Sequence, residues 1–313
     1  MIVHWDDVER ERFEWEPDTH AWWRDLGRAA GTRGVGVRRM EVDPGKQSVC
    51  AHMHTVEEEI VFVLGGAGHS WQDGRGYSIR PSDCIVHLPD REVHTLIAGD
   101  DGLDVLVFGT RSVAEFSYLP RTGRAHTVGL WFDVVGIGSR PAEAEATTTI
   151  VAERPSNIVN LDEARAAEDG GGSWAELADA AGAVRAGLNW IELPAGRRGP
   201  PPHCHSAEEE IFIVLDGEGV LELWPTPGSP RLHPDFEYQE HALRAGHVIS
   251  RPPGTRIAHS LRAGSLGLTY LAYGTRDTND VCYYPRSNKI FWRGVGLIAR
   301  VEPLDYFDGE PEH

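Results

Sequence analysis

The chain is short of cysteine, short of basic residues relative to acidic ones, and has no long apolar run. Its four cysteines, Cys50, Cys84, Cys204 and Cys282, are scattered without a C-x-x-C pair. Free thiols in a cytoplasmic protein are therefore expected. Lys and Arg number 30 against 48 Asp and Glu, a formal net charge of −18. Such a chain repels phosphate backbones and anionic lipid surfaces, which argues against nucleic acid and membrane as partners. A membrane-crossing helix needs about 20 apolar residues in a row, and no such run is present. The opening residues, Met1 to Asp7, lack the basic and apolar regions of a secretion signal. What is plentiful is Gly, 35 residues, and Pro, 20 residues. Both punctuate chains with turns and point to a β-rich protein.

The sequence is duplicated. Residues 23–68 align without a gap on 174–219, at an offset of 151. Trp23, Leu26, Ala29, Ala30 and Gly31 meet Trp174, Leu177, Ala180, Ala181 and Gly182. Farther on, Ser82 meets Gly246 at 164 and His94 meets His259 at 165, so the second copy has a longer loop near 225–238. At 165, Gly109-Thr110-Arg111 meets Gly274-Thr275-Arg276. The copies imply an N-terminal domain over 1–138, a small polar linker over 139–150 and a C-terminal domain over 151–313. Short β-branched or alternating stretches such as 35–42, 60–64, 103–108, 188–193, 211–215 and 266–273 predict an all-β sandwich or barrel in each copy. Two short helices are expected, one capped by Thr19 and running through Trp22, Trp23 and Leu26, its twin starting near Ser173. Gly31 and Gly182 stand at their C-terminal stops.

Each copy carries His-x-His-x-x-x-x-Glu followed by Gly: His52, His54, Glu59 and Gly66, then His203, His205, Glu210 and Gly217. Histidines two apart on a strand project from one face, and a nearby carboxylate adds a hard oxygen donor. A third histidine arrives later in each copy, His94 and His259. Surface histidines beside a solvated acidic run are the bland alternative, which two in-register copies disfavour. Glu57, Glu58, Glu208 and Glu209 read as solvated loop charges. The last Glu of each run abuts an apolar strand and is assigned as the ligand.

These motifs resemble the cupin superfamily, and the whole chain resembles bacterial two-domain cupins, or bicupins. The resemblance implies two tandem cupin barrels (double-stranded β-helix, or jelly-roll), one divalent metal per barrel, and a homodimer. The second cupin motif is looser here. Arg91 stands where Gly is usual, Ser82 replaces the preceding turn glycine, and one extra residue precedes His259.

Imidazole and carboxylate donors suit Fe, Mn, Ni, Co or Zn without choosing among them. Four protein ligands leave two positions on an octahedral ion for a small-molecule substrate, or for substrate and dioxygen. A retained glutamate resembles the oxalate-decarboxylase and quercetin-dioxygenase bicupins. The lid segment with the catalytic glutamate of oxalate decarboxylases has no clear counterpart. The leading expectation is thus a metal-dependent oxidoreductase, a dioxygenase acting on a small oxygenated or aromatic metabolite. An oxygen-independent isomerase, lyase or decarboxylase is the alternative, and a non-enzymatic ligand-binding cupin the third. Arg91 and Arg256 are candidate holders of a substrate carboxylate, or else surface salt-bridge partners. Cys50, two before His52, is either a reactive thiol beside the site or an inert buried one.

Overall fold

The structure is a computed structural model that describes residues 1–311 except 16, 128, 135–147, 165, 170 and 171. It is all-β, as expected. Among the described residues the three α-helices are at most five residues long. Each copy forms a barrel from a large sheet and a four-stranded one. In the first, the long strand Glu59–Gln72 lies between His94–Thr110 and the shorter Arg75–Ile79 and Asp83–His87. In the second, Glu210–Pro225 lies between Ile257–Thr275 and the pair Gln239–Arg244 and His247–Arg251. Their alternate residues fill two separate apolar interiors. Val61, Val63, Ile85 and Val105 belong to one, and Phe212, Val214, Ile249 and Tyr270 to the other.

The glycine that closes each motif has a steric reason. The ladder register slips around Gly66 and again around Gly217. Both residues have positive φ, 75° and 78°. A Cβ on them would sit 2.2 Å from the Gly102 carbonyl oxygen and 2.3 Å from that of Gly267. Only glycine lets the long strand bend here and close the barrel.

The barrels face each other across a pseudo-twofold relation. A third apolar cluster joins Ile60, Phe62, Leu106 and Phe108 to Ile211, Ile213, Leu271 and Tyr273. The Phe108 and Tyr273 rings stack with centroids 5.0 Å apart. Phe108 and Tyr273 are themselves in register at 165. Two of the acidic residues read as solvated are part of this interface, and a third, Glu208, is buried beside Arg293 within its own barrel. Glu58 is fully buried and Glu209 is 2% exposed. Glu58 accepts from the backbone N–H groups of Val184, Arg185 and Ala186, and Glu209 from those of Arg33 and Gly34. Composition suggested solvent, but a carboxylate that collects several N–H bonds tolerates burial.

Strands are also exchanged between copies. Ile2–His4 pairs with His247–Arg251 of the second barrel. Ile158–Asn160 pairs with Asp83–His87 of the first, and Thr149–Val151 runs parallel to Arg75–Ile79 there. The boundaries 1–138 and 151–313 thus follow the repeat, while the sheets cross them. Residues 139–147 of the expected linker lie outside the described residues.

The two expected helices begin later than predicted. Thr19–Asp25 is a strand, paired with Val35–Val42, and the helix is Leu26–Ala30, capped by the Asp25 carboxylate rather than Thr19. Gly172–Glu176 is likewise a strand before the helix Leu177–Ala180. Aromatic Trp22 and Trp23 favour the pleated sheet, which overrides the weak helical pattern. Gly31 does close the first helix, at φ 78°.

Candidate metal centres

Strand geometry explains why three histidines converge in each barrel. His52 and His54 share a face by alternation. His52 and His94 form an antiparallel bridge with reciprocal N–H to carbonyl bonds of 3.0 and 2.8 Å, and His203 and His259 repeat it at 3.1 and 2.8 Å. Directly opposed residues point to the same side of a sheet, so the third histidine is delivered beside the first two.

The donor atoms meet. In the first barrel, ligand atoms of His52, His54, Glu59 and His94 all lie within 4.8 Å of one another. The Nε2 atoms of His52 and His54 are 3.0 Å apart, and those of His54 and His94 each lie 3.4 Å from a Glu59 oxygen. In the second, the Nε2 atoms of His203, His205 and His259 lie 3.9, 3.3 and 2.8 Å from Glu210 Oε2.

The opposite ring nitrogens are tied back. Nδ1 of His52 donates to the Cys50 carbonyl, His94 to that of Glu92, and His203 to that of Pro201. His54 and His205 instead donate to carboxylates, Glu115 at 3.0 Å and Asp280 at 2.7 Å. These partners can only accept, so Nδ1 keeps its proton and Nε2 is the ring nitrogen turned to the centre. Nε2 of His94, His205 and His259 and Oε2 of Glu210 are buried and have no hydrogen-bond partner outside these clusters. Unsatisfied buried donors aimed at one point fit a cation, and the residues present suit a divalent metal.

Electrostatics agree. Burial raises the Glu59 carboxyl, yet His54 and His94 outweigh it and hold the group well below the usual range. His259 and His205 do the same for Glu210. Burial lowers His54 and His205, but Glu115 with Glu59, and Asp280 with Glu210, push both up to about 10.

The loosened second motif turns out to be conformationally regular. Ser82 occupies the left-handed region at φ 69°, as Gly246 does at 92°. Asp90 at φ 54°, not Arg91, matches Gly254 at 70°, and their N–H groups donate to the carbonyls of His54 and His205. Arg256, at φ 58°, takes up the extra residue before His259.

The other expected site residues fall outside the donor clusters. Arg91 is exposed on its turn. Arg256 is exposed and lines a cavity of about 520 Å³ that also includes Cys204, Val281 and Tyr283. Val281 and Tyr283 alternate with Cys282 and Tyr284, whose side chains turn toward His203 and His205. Cys50 is buried and reaches the first centre through its carbonyl oxygen. Sequence reasoning missed Glu115 and Asp280, although the offset of 165 pairs them. It also missed Cys282, whose thiol comes within 4.8 Å of donor nitrogens of His203 and His205.

Residues 38–108 match the cupin domain family. The fold of the chain is that of two tandem cupin barrels. Among solved structures, the chain resembles oxalate decarboxylase of Bacillus subtilis, with 15% identity and a TM-score of 0.58 over 87% of this chain and 76% of that one. It resembles a formate complex of oxalate decarboxylase from Lactobacillus farciminis with 14% identity and a TM-score of 0.59, over 87% and 85%. Another Bacillus subtilis oxalate decarboxylase structure, described for its Mn(II) centres, has a TM-score of 0.57 at 14% identity over 87% and 76%. A search of curated protein sequences finds no match. Among the described residues, no helix is long and apolar enough to cross a membrane.

Proposed function

We propose that this bicupin is a metal-dependent decarboxylase or lyase of a small oxygenated acid, with a divalent metal held in each barrel. The observation that carries the reading is the paired constellation: His52, His54, Glu59 and His94, repeated as His203, His205, Glu210 and His259, with buried donor atoms otherwise unsatisfied. The fold likeness to oxalate decarboxylases supports this chemistry over the dioxygenase reading. The Mn(II) centres of one such relative make manganese the first metal to test. A bound divalent ion would supply Lewis-acid polarisation of a substrate oxygen.

The chain's own residues do the rest. The Nδ1 bonds fix the imidazole tautomers and orientations. Glu59 and Glu210 offset part of the cation's charge. Phe212, Ile249 and Leu261 are part of the apolar packing inside the second barrel and keep bulk water away. In a decarboxylation the C–C bond to the carboxylate breaks, carbon dioxide leaves, and the electron pair left on substrate carbon takes up a proton. No electron acceptor is required. The homodimer and the cytoplasmic location belong to the same proposal, resting on the resemblance and the free thiols.

The test is a panel of small oxo, hydroxy and dicarboxylic acids on Mn(II)-loaded protein. The reading expects carbon dioxide release without net consumption of dioxygen. Stoichiometric oxygen uptake would return the protein to the dioxygenase class, and binding without product to the ligand-binding class.

A further inference from the structure

The strand facing each ligand glutamate carries different chemistry in the two barrels. Antiparallel pairing sets Glu59 opposite His87 and Glu210 opposite Arg251. Opposed residues share a face, so both side chains enter a barrel beside its glutamate. Ile85 and Ile249, two residues earlier, lie in the interiors of the same barrels.

In the first barrel this position is filled and paired. His87 is 2% exposed, stacks on His94 with centroids 3.8 Å apart, and bonds through Nδ1 to Glu92 at 2.8 Å. In the second, Ile257 stands in register with Glu92. It offers Arg251 only its carbonyl, 2.7 Å from Nη2. The Nε of Arg251 is buried and hydrogen-bonded to nothing. The negative charge of Glu210 reaches the guanidinium through space. A buried guanidinium with an unused N–H is costly unless an anion joins it. With Arg251 in place of His87, and Ile257 in place of Glu92, the second centre has a permanent cation that the first lacks and is without a carboxylate that the first has.

The geometry points to a division of labour: the C-terminal centre takes the small carboxylate, anchored and oriented by Arg251, and the N-terminal centre does not hold anions. This rests on the proposed function in that a carboxylic acid is the substrate. A guanidinium offers a planar fork that matches a carboxylate. In the first barrel the same anion would meet Glu92 and no arginine. Arg251 is thus a specificity-determining residue, distinct from the metal ligands.

Single-centre proteins decide the matter. A His52→Ala/His54→Ala variant keeps only the second centre, and His203→Ala/His205→Ala keeps only the first. Each is loaded with Mn(II) and titrated with oxalate and with acetate, followed by calorimetry and by the Mn(II) paramagnetic resonance spectrum. The second-centre protein is expected to bind them about tenfold or more tightly than the first-centre protein. Adding Arg251→Gln should weaken binding by about tenfold or more at unchanged Mn(II) stoichiometry, and Arg251→Lys should restore part of it. Equal affinity in the two single-centre proteins overturns the inference, as does undiminished binding in Arg251→Gln. Should that variant fail to fold, the comparison of the two single-centre proteins still decides. Binding that tracks Arg251 without carbon dioxide release from any acid supports this inference and overturns the proposed reaction. Turnover confined to the first centre does the reverse.

Discussion

Glu115 is bonded to His54 at 3.0 Å while the same carboxylate accepts the backbone N–H groups of Thr55, Val56 and Glu57. Asp280 repeats this with His205, Ala207 and Glu208. One acidic side chain per barrel thus both orients a histidine and fastens the loop that leads to the ligand glutamate. Glu115→Ala is expected to weaken metal binding at the first centre by about 10–100-fold, and Asp280→Ala likewise at the second. Competition titration with a metal-chelating dye on single-centre proteins measures this. An unchanged affinity would remove the positioning role.

Metal binding should depend on pH with a definite sign. The free protein keeps His54 and His205 protonated, since their carboxylate partners push both to about 10. A metal needs the bare Nε2, so binding near neutral pH expels about one proton per centre. Affinity should rise about tenfold per pH unit through the neutral range and fall on acidification. Calorimetry in buffers of different ionisation enthalpy counts the proton directly, and zero release would contradict the cluster electrostatics.

The barrel interface should be sensitive to its buried acids. Glu58→Ala strands the N–H groups of Val184, Arg185 and Ala186 without an acceptor. A loss of about 3 kcal/mol in unfolding free energy is expected. Glu209→Ala should cost a comparable amount by the reciprocal contact with Arg33 and Gly34. Urea denaturation followed by tryptophan fluorescence reports both, and a change below about 0.5 kcal/mol would mean that these carboxylates are dispensable.

Phe108→Ala would open a cavity against Tyr273 at the centre of that interface. The expected cost is about 3–5 kcal/mol, with one cooperative transition giving way to two as the barrels uncouple. Differential scanning calorimetry distinguishes this from a simple shift of one transition.

The two donor clusters were legible because strand alternation and a gapless offset of 151 constrain them together. His94 and His259 were legible because the register resumes at 165. The buried role of Glu58 and Glu209 was hidden, since their partners are backbone groups of the other barrel, over a hundred residues away. Arg251 was hidden for a related reason: its neighbour Glu210 comes from register across a sheet, which no local spacing reveals. The exchange of strands did leave a trace. Ile2-Val3-His4 and Ile158-Val159-Asn160 are related at a third offset, 156, short enough to escape a search keyed to the longer match.

That exchange has a consequence for how the molecule can be divided. Severed within 135–147, the polypeptide would become two halves, each holding an edge strand that completes the other's sheet. Each half in isolation would lack the edge strand the other supplies, yet the two together retain these pairings. The cut protein would be a heterodimer of two diverged sisters, joined by mutual edge pairing as well as by their apolar interface. In the intact chain, the covalent tether keeps either sister from finding a copy of itself.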